Sequence, residues 1–93
     1  MRARALVEAR VEAERMLMAT RSALAADGDL LHEAERGTID GLMGALEAIR
    51  TQDDAAAIDA ATEALAKGTE AFAALRMNRG IQQALAGKNI ETV

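Results

Sequence analysis

Ninety-three residues hold one domain at most, and 23 alanines with no proline make that domain all-α, because alanine is the best helix former and proline the worst. The lack of cysteine excludes a disulfide framework and thiolate metal sites, and no apolar run approaches the roughly 18 residues that span a bilayer. The net charge of −4 is uneven: residues 1–26 carry five arginines and three glutamates, residues 27–70 eleven acids and three bases, residues 71–93 three bases and one acid, and an acidic middle without aromatic stacking residues argues against a nucleic-acid partner.

Arg2 to Ala26 contains no helix breaker and reads as one helix, roughly 38 Å long at about 1.5 Å rise per residue. That is more helix than the shorter segments after it cover, so it is expected to overhang them and reach for another surface. Leu6, Ala13, Leu17, Thr20 and Leu24 fall on one stripe, and Val7, Val11 and Met18 on a neighbouring one. Asp27-Gly28-Asp29 ends the helix, with Gly28 suited to a left-handed cap.

A second helix is expected from about Glu33 to Arg50, with Ile39, Leu42, Met43, Leu46 and Ile49 at helical spacing. Glu35 stands where a capping box has its acid, with His32 at the cap, where serine or threonine serves better. Gly37, Gly41, Gly44 and Ala48 lie opposite the apolar stripe, either as a tolerated solvent face or as a close-packed second contact.

Thr51-Gln52-Asp53-Asp54 forms the next turn, and Asp53 or Asp54 caps a third helix in which Ile58, Ala61, Thr62, Leu65, Thr69 and Phe72 share a face. A last short helix holds Ile81 and Leu85, either continuous with the third or separated from it, with Gly80 as the expected break, and Gly87 as its stop, and Lys88 to Val93 is expected to fray. Phe72 is the only aromatic residue, so the core is aliphatic and the expected stability sits at the low end of the usual range, about 5 kcal/mol.

Catalytic chemistry has little to stand on. His32 is the only histidine, and Asp27-Gly28-Asp29 lacks the later ligands and closing glutamate of a calcium loop. No glycine-rich loop follows a strand, so the chain itself is expected to hold no nucleotide, metal or other cofactor. Met16, Met18, Met43 and Met77 serve either as core packing or as an adaptable binding surface. Glu8, Glu12 and Glu14 are too acidic for a transit peptide despite the arginine-rich start, which points to a soluble cytoplasmic chain with no membrane partner.

One resemblance gives these features a context. Ala9-Arg10-Val11-Glu12-Ala13-Glu14-Arg15-Met16-Leu17, Thr20-Arg21 and Ala25-Ala26-Asp27-Gly28-Asp29-Leu30-Leu31 resemble the lid of the seventy-kilodalton heat-shock chaperone family. The match continues through Ala34-Glu35-Arg36, Ile39-Asp40, Asp53-Asp54, Ala57-Ile58 and Phe72-Ala73-Ala74. It ends in Arg76-Met77 and Ala84-Leu85-Ala86-Gly87, where it is most similar to the HscA branch that serves iron–sulfur cluster assembly.

The resemblance implies a carboxyl-terminal lid, with residues 1–26 as the lid helix and 27–93 as a helical bundle of two or three further helices and a short tail. That lid closes over a client peptide held in a β-sandwich elsewhere in the parent. The parent is then an ATP-dependent chaperone acting, with a J-type co-chaperone, on the iron–sulfur scaffold protein. Arg10, Glu14, Leu17, Met18 and Arg21 are the expected sandwich-facing residues. Glu14 matches an acidic latch position, and Met18 stands where other members carry a latch histidine. Without the sandwich, Leu6, Val7 and Val11 are expected to be exposed and to favour pairing between copies. The alternative from the residues alone is a free-standing helical adaptor whose first helix docks in a partner's groove.

Overall fold

The computed structural model describes the backbone of residues 2–92 and the side chains of residues 3–86. It is all-α: a long helix, α1 (Arg2–Asp27), is followed by α2 (Glu33–Ile49), α3 (Ala55–Gly68) and α4 (Glu70–Thr92), with a single 3-10 turn, Gly28–Leu30, between α1 and α2. Among the described residues there is no strand.

The core is the stripe that the periodicity marks. Leu17, Leu46, Ile58 and Leu65 are fully buried, and Ala9, Ala13, Leu24, Ile39, Met43 and Phe72 close around them. Alanine at positions 9 and 13 puts only a methyl group between the backbone of α1 and the helices it packs on. Thr20 is the one buried polar residue in this set, and its hydroxyl donates to the Met16 carbonyl at 2.7 Å, so no donor is left unpaired in the core.

Several boundaries differ from the sequence expectation. No described glycine has a positive φ, so Gly28 is not a left-handed cap; the chain instead tightens into the 3-10 turn, with the Leu31 N–H donating to the Gly28 carbonyl at 3.1 Å. His32 is extended, and Glu35 Oε1 accepts from its backbone N–H at 3.0 Å, the acid's half of the expected capping arrangement. Asp54 caps α3 by accepting from the Ala57 N–H at 3.1 Å.

The break between α3 and α4 lies at Gly68–Thr69 rather than at Gly80. Thr69 turns the chain, and its hydroxyl donates to the carbonyls of Leu65 and Ala66, both at 3.0 Å. Gly80 lies inside α4, and Gly87 does not stop it, because the helix runs to Thr92. A helical glycine costs only about 1 kcal/mol relative to alanine, too little by itself to end a helix. The fraying expected of Lys88 to Val93 falls outside the described side chains.

The expected overhang of the first helix is also corrected. Core residues of α1 run from Ala9 to Leu24, so most of that helix is packed on its own bundle. The element that projects is α4. Its inward positions after Phe72 are Arg76 and Arg79, not apolar residues, and from Gly80 to Ala86 every side chain is exposed. This makes the molecule elongated, 60 Å in its longest dimension.

Candidate functional site on the outer face of the first helix

Residues 7, 11 and 18 are separated by one and two helical turns, so their side chains stack on one side of α1. That side points away from the core: Val7 is 58% exposed, Val11 44% and Met18 64%. With Arg10, Glu14 and Arg15 they line a shallow apolar depression along the helix. Three large apolar side chains left wet in a row on the side of a helix opposite its packed stripe are the mark of a contact surface.

Most of the charged residues along this helix are engaged with the bundle, whereas Arg15 pairs with Glu12 of α1 itself. The Arg10 guanidinium donates to the carbonyls of Arg50 at 2.9 Å and Gln52 at 3.0 Å, and to Asp53 Oδ1 at 2.9 Å, tying α1 to the α2–α3 turn. Glu14 is ion-paired with Arg50. Arg21 donates to Glu47 Oε2 at 2.7 Å. Leu17 is fully buried among the core residues.

The five expected sandwich-facing residues therefore divide. Leu17 drops out of any outward surface, because its side chain is committed to this chain's own core. Arg10, Glu14 and Arg21 hold the bundle together along one flank of α1, and Met18 alone of the five is free on the apolar strip. Leu6 is half-buried against the core, which leaves Val7 and Val11 as the exposed apolar residues near the start of the helix. The signal for Val7 and Val11 was in the sequence, as the second stripe beside the core stripe.

A second cluster has no counterpart in the sequence reading. Arg76 Nε donates to Asp27 Oδ2 at 2.9 Å, and the Arg79 guanidinium spans Asp27 Oδ1 at 3.1 Å and Asp29 at 2.9 and 2.6 Å. Hydrogen bonds from Arg76, then from Arg79, hold the Asp27 carboxyl below the usual aspartate range against an opposing desolvation effect; the Arg79 hydrogen bonds do the same for Asp29. The two acids that looked like a broken calcium loop are a receptor for two arginines of α4. The available signal was two acids in the first turn and two arginines three residues apart, but nothing in one sequence pairs them.

Among the described residues no three histidine, cysteine, aspartate or glutamate side chains are placed to hold a metal ion, and no helix is long and apolar enough to cross a membrane. His32, the only histidine, is exposed. A partner that covers Val7, Val11 and Met18 gains apolar contact without having to break the ion pairs beside them.

No family model matches the chain. Chaperones named HscA homolog match it along its whole length: it is 73% identical to that of Paracidovorax citrulli and 68% identical to that of Verminephrobacter eiseniae, each over 93 residues. The chain is similar throughout to one segment of these HscA homologs. At 58% identity the HscA homolog of Burkholderia thailandensis also matches it throughout. The chain spans 15% of the length of each of these HscA homologs. The resemblance read from the residues thus holds, and a long helix followed by a small helical bundle fits a chaperone lid.

Proposed function

We propose that this HscA-like segment is the lid of a chaperone, and that the Val7–Val11–Met18 strip of α1 is the face it lays on the peptide-binding part of the protein. The observation that carries the reading is the strip itself: an unpartnered apolar line on a helix whose other side is fully packed, in a chain that is a small part of its relatives' length.

In this reading α2 and α3 brace α1 so that it closes as a stiff bar. The client is an extended segment of the iron–sulfur scaffold protein, bound in a β-sandwich outside this segment and delivered with a J-type co-chaperone in the cytoplasm. ATP bound elsewhere in the parent opens the lid, and the segment needs no cofactor of its own. Because a lid adds few contacts to the client, its effect falls on client escape rather than capture. Glu14, matched to an acidic latch position, is engaged by Arg50, and Met18 replaces the latch histidine, so closure rests on apolar contact more than on polar latching.

The test is client peptide dissociation from the full-length protein with Val7→Asp and Val11→Asp together. Burying two charges in place of two valines removes well over the 1.4 kcal/mol that corresponds to a tenfold change, so dissociation is expected to rise at least about tenfold with little change in association. An unchanged dissociation rate in a folded variant contradicts the lid face.

A further inference from the structure

The attachment of α4 differs in kind from that of the other three helices. α1, α2 and α3 share the aliphatic core built on Leu17, Leu46, Ile58 and Leu65. α4 contributes Phe72 to that core and, among its described side chains, nothing buried after it. The Phe72 ring sits between two shallow grooves, one lined by Leu31, Ile39 and Gly68 and the other by Met16, Thr20 and Ala23. Arg76 lies over the ring, its guanidinium carbon 5.9 Å from the centroid.

Beyond Phe72 and the small side chains of Ala71 and Ala73 beside it, the described contacts that fix α4 are charged. Arg76 and Arg79 grip Asp27 and Asp29 through the four hydrogen bonds described above, and the cluster is open to solvent on the Asp29 side, where the carboxylate is two-thirds exposed. Ion pairs of this kind weaken as salt rises, whereas an aliphatic core does not. Local opening follows the parts of a structure with few buried apolar contacts.

We infer that α4 is a releasable helix, clasped to the α1–α2 turn by Asp27, Asp29, Arg76 and Arg79, and that it detaches as a unit while α1–α3 stay folded. Release is driven by ionic strength or by a competing charged surface. It uncovers the apolar seat of Phe72, so the bundle has a clasped state and an open state that differ in exposed apolar area. This device is independent of the lid face on α1, which lies on a different part of the molecule.

Hydrogen exchange read by mass spectrometry in the full-length protein tests it. The Debye length shrinks from about 30 Å at 0.01 M salt to about 3 Å at 1 M. Between those conditions the amides of α4 over residues 73–86 are expected to exchange about tenfold faster, with those of α1 and α3 unchanged. Asp27→Asn with Asp29→Asn is expected to exchange fast in α4 at both salt concentrations and to lose the salt response. Exchange of α4 in step with α1 and α3, or a wild type whose α4 does not respond to salt, overturns the inference.

Discussion

The side chain of Leu42 on α2 occupies the space that a Cβ on Gly68, the last residue of α3, would fill. No comparable contact exists at Gly37, Gly41 or Gly44, where an added Cβ meets nothing within 4 Å. Gly68 is therefore kept by packing and the other three are not. Alanine at Gly41 or Gly44 is expected to stabilise the fold by up to about 1 kcal/mol each in urea denaturation. At Gly68 that gain is cancelled by displacing Leu42, with a net effect between zero and about 1 kcal/mol of destabilisation. A Gly68→Ala variant stabilised as much as Gly41→Ala contradicts the close approach.

Leu17 and Met18 are adjacent in sequence and opposite in role. Leu17→Ala opens a cavity in the core and is expected to cost about 2–5 kcal/mol, a large share of what a domain this small has. Met18→Ala is expected to leave thermal stability within about 0.5 kcal/mol of wild type, because its side chain faces solvent. Equal destabilisation by the two places Met18 in the core and removes the outer face.

Arg10 is a structural fork before it is anything else. Its guanidinium serves three oxygens on the α2–α3 turn from two nitrogens. Lysine keeps the charge but not the fork, so Arg10→Lys is expected to recover less than half of the stability lost in Arg10→Ala, a loss of about 1–2 kcal/mol. Full recovery by lysine means the charge alone matters and the fork does not.

The clasp has a defined pH window. Arg76 and Arg79 from α4 face Asp27 and Asp29, and the Arg36 guanidinium of α2, paired with Asp40, lies near Gly28 between them, 3.0 Å from where a Cβ on that residue would sit. Both aspartate carboxyls are held below their ordinary range in the folded state, so their contribution is fully present above the unfolded value of about 3.9 and is lost as pH falls through the lowered folded values. Arg79 is shifted upward by the same pairs and stays charged throughout the usual range. The melting-temperature gap between wild type and the Asp27→Asn, Asp29→Asn variant is expected to be constant from pH 5 to pH 8 and to close in more acid solution. A gap that instead changes near neutrality points to some other group.

The α1–α3 part of this fold is legible in the sequence because it is written in periodicity. The stripes through Leu17, Leu46 and Ile58 give the helices and their inward faces, and Asp54 gives a cap. What the sequence hid is tertiary. Gly80 looks like a break and Gly68 does not, yet the chain turns at Gly68–Thr69, where Leu42 comes close and Thr69 bonds back to Leu65 and Ala66. The projection of α4 was equally hidden, since Ile81 and Leu85 have core-like spacing but no bundle beside them. At the site, Val7, Val11 and Met18 were visible as a stripe. The engagement of Arg10 and Glu14 by the α2–α3 turn was not, because it joins residues some 40 positions apart.

Met18 and Met77 give the most direct measurement of the central claim. They are similarly exposed in the structure, 64% and 69%, one on the α1 strip and the other on α4. In the full-length protein with client peptide bound, mild peroxide oxidation followed by mass spectrometry compares their rates within one molecule. If α1 lies on the peptide-binding part of the protein, Met18 is oxidised several times more slowly than Met77. If the two are oxidised at the same rate in the client-bound protein, the α1 strip is uncovered and the lid account is wrong.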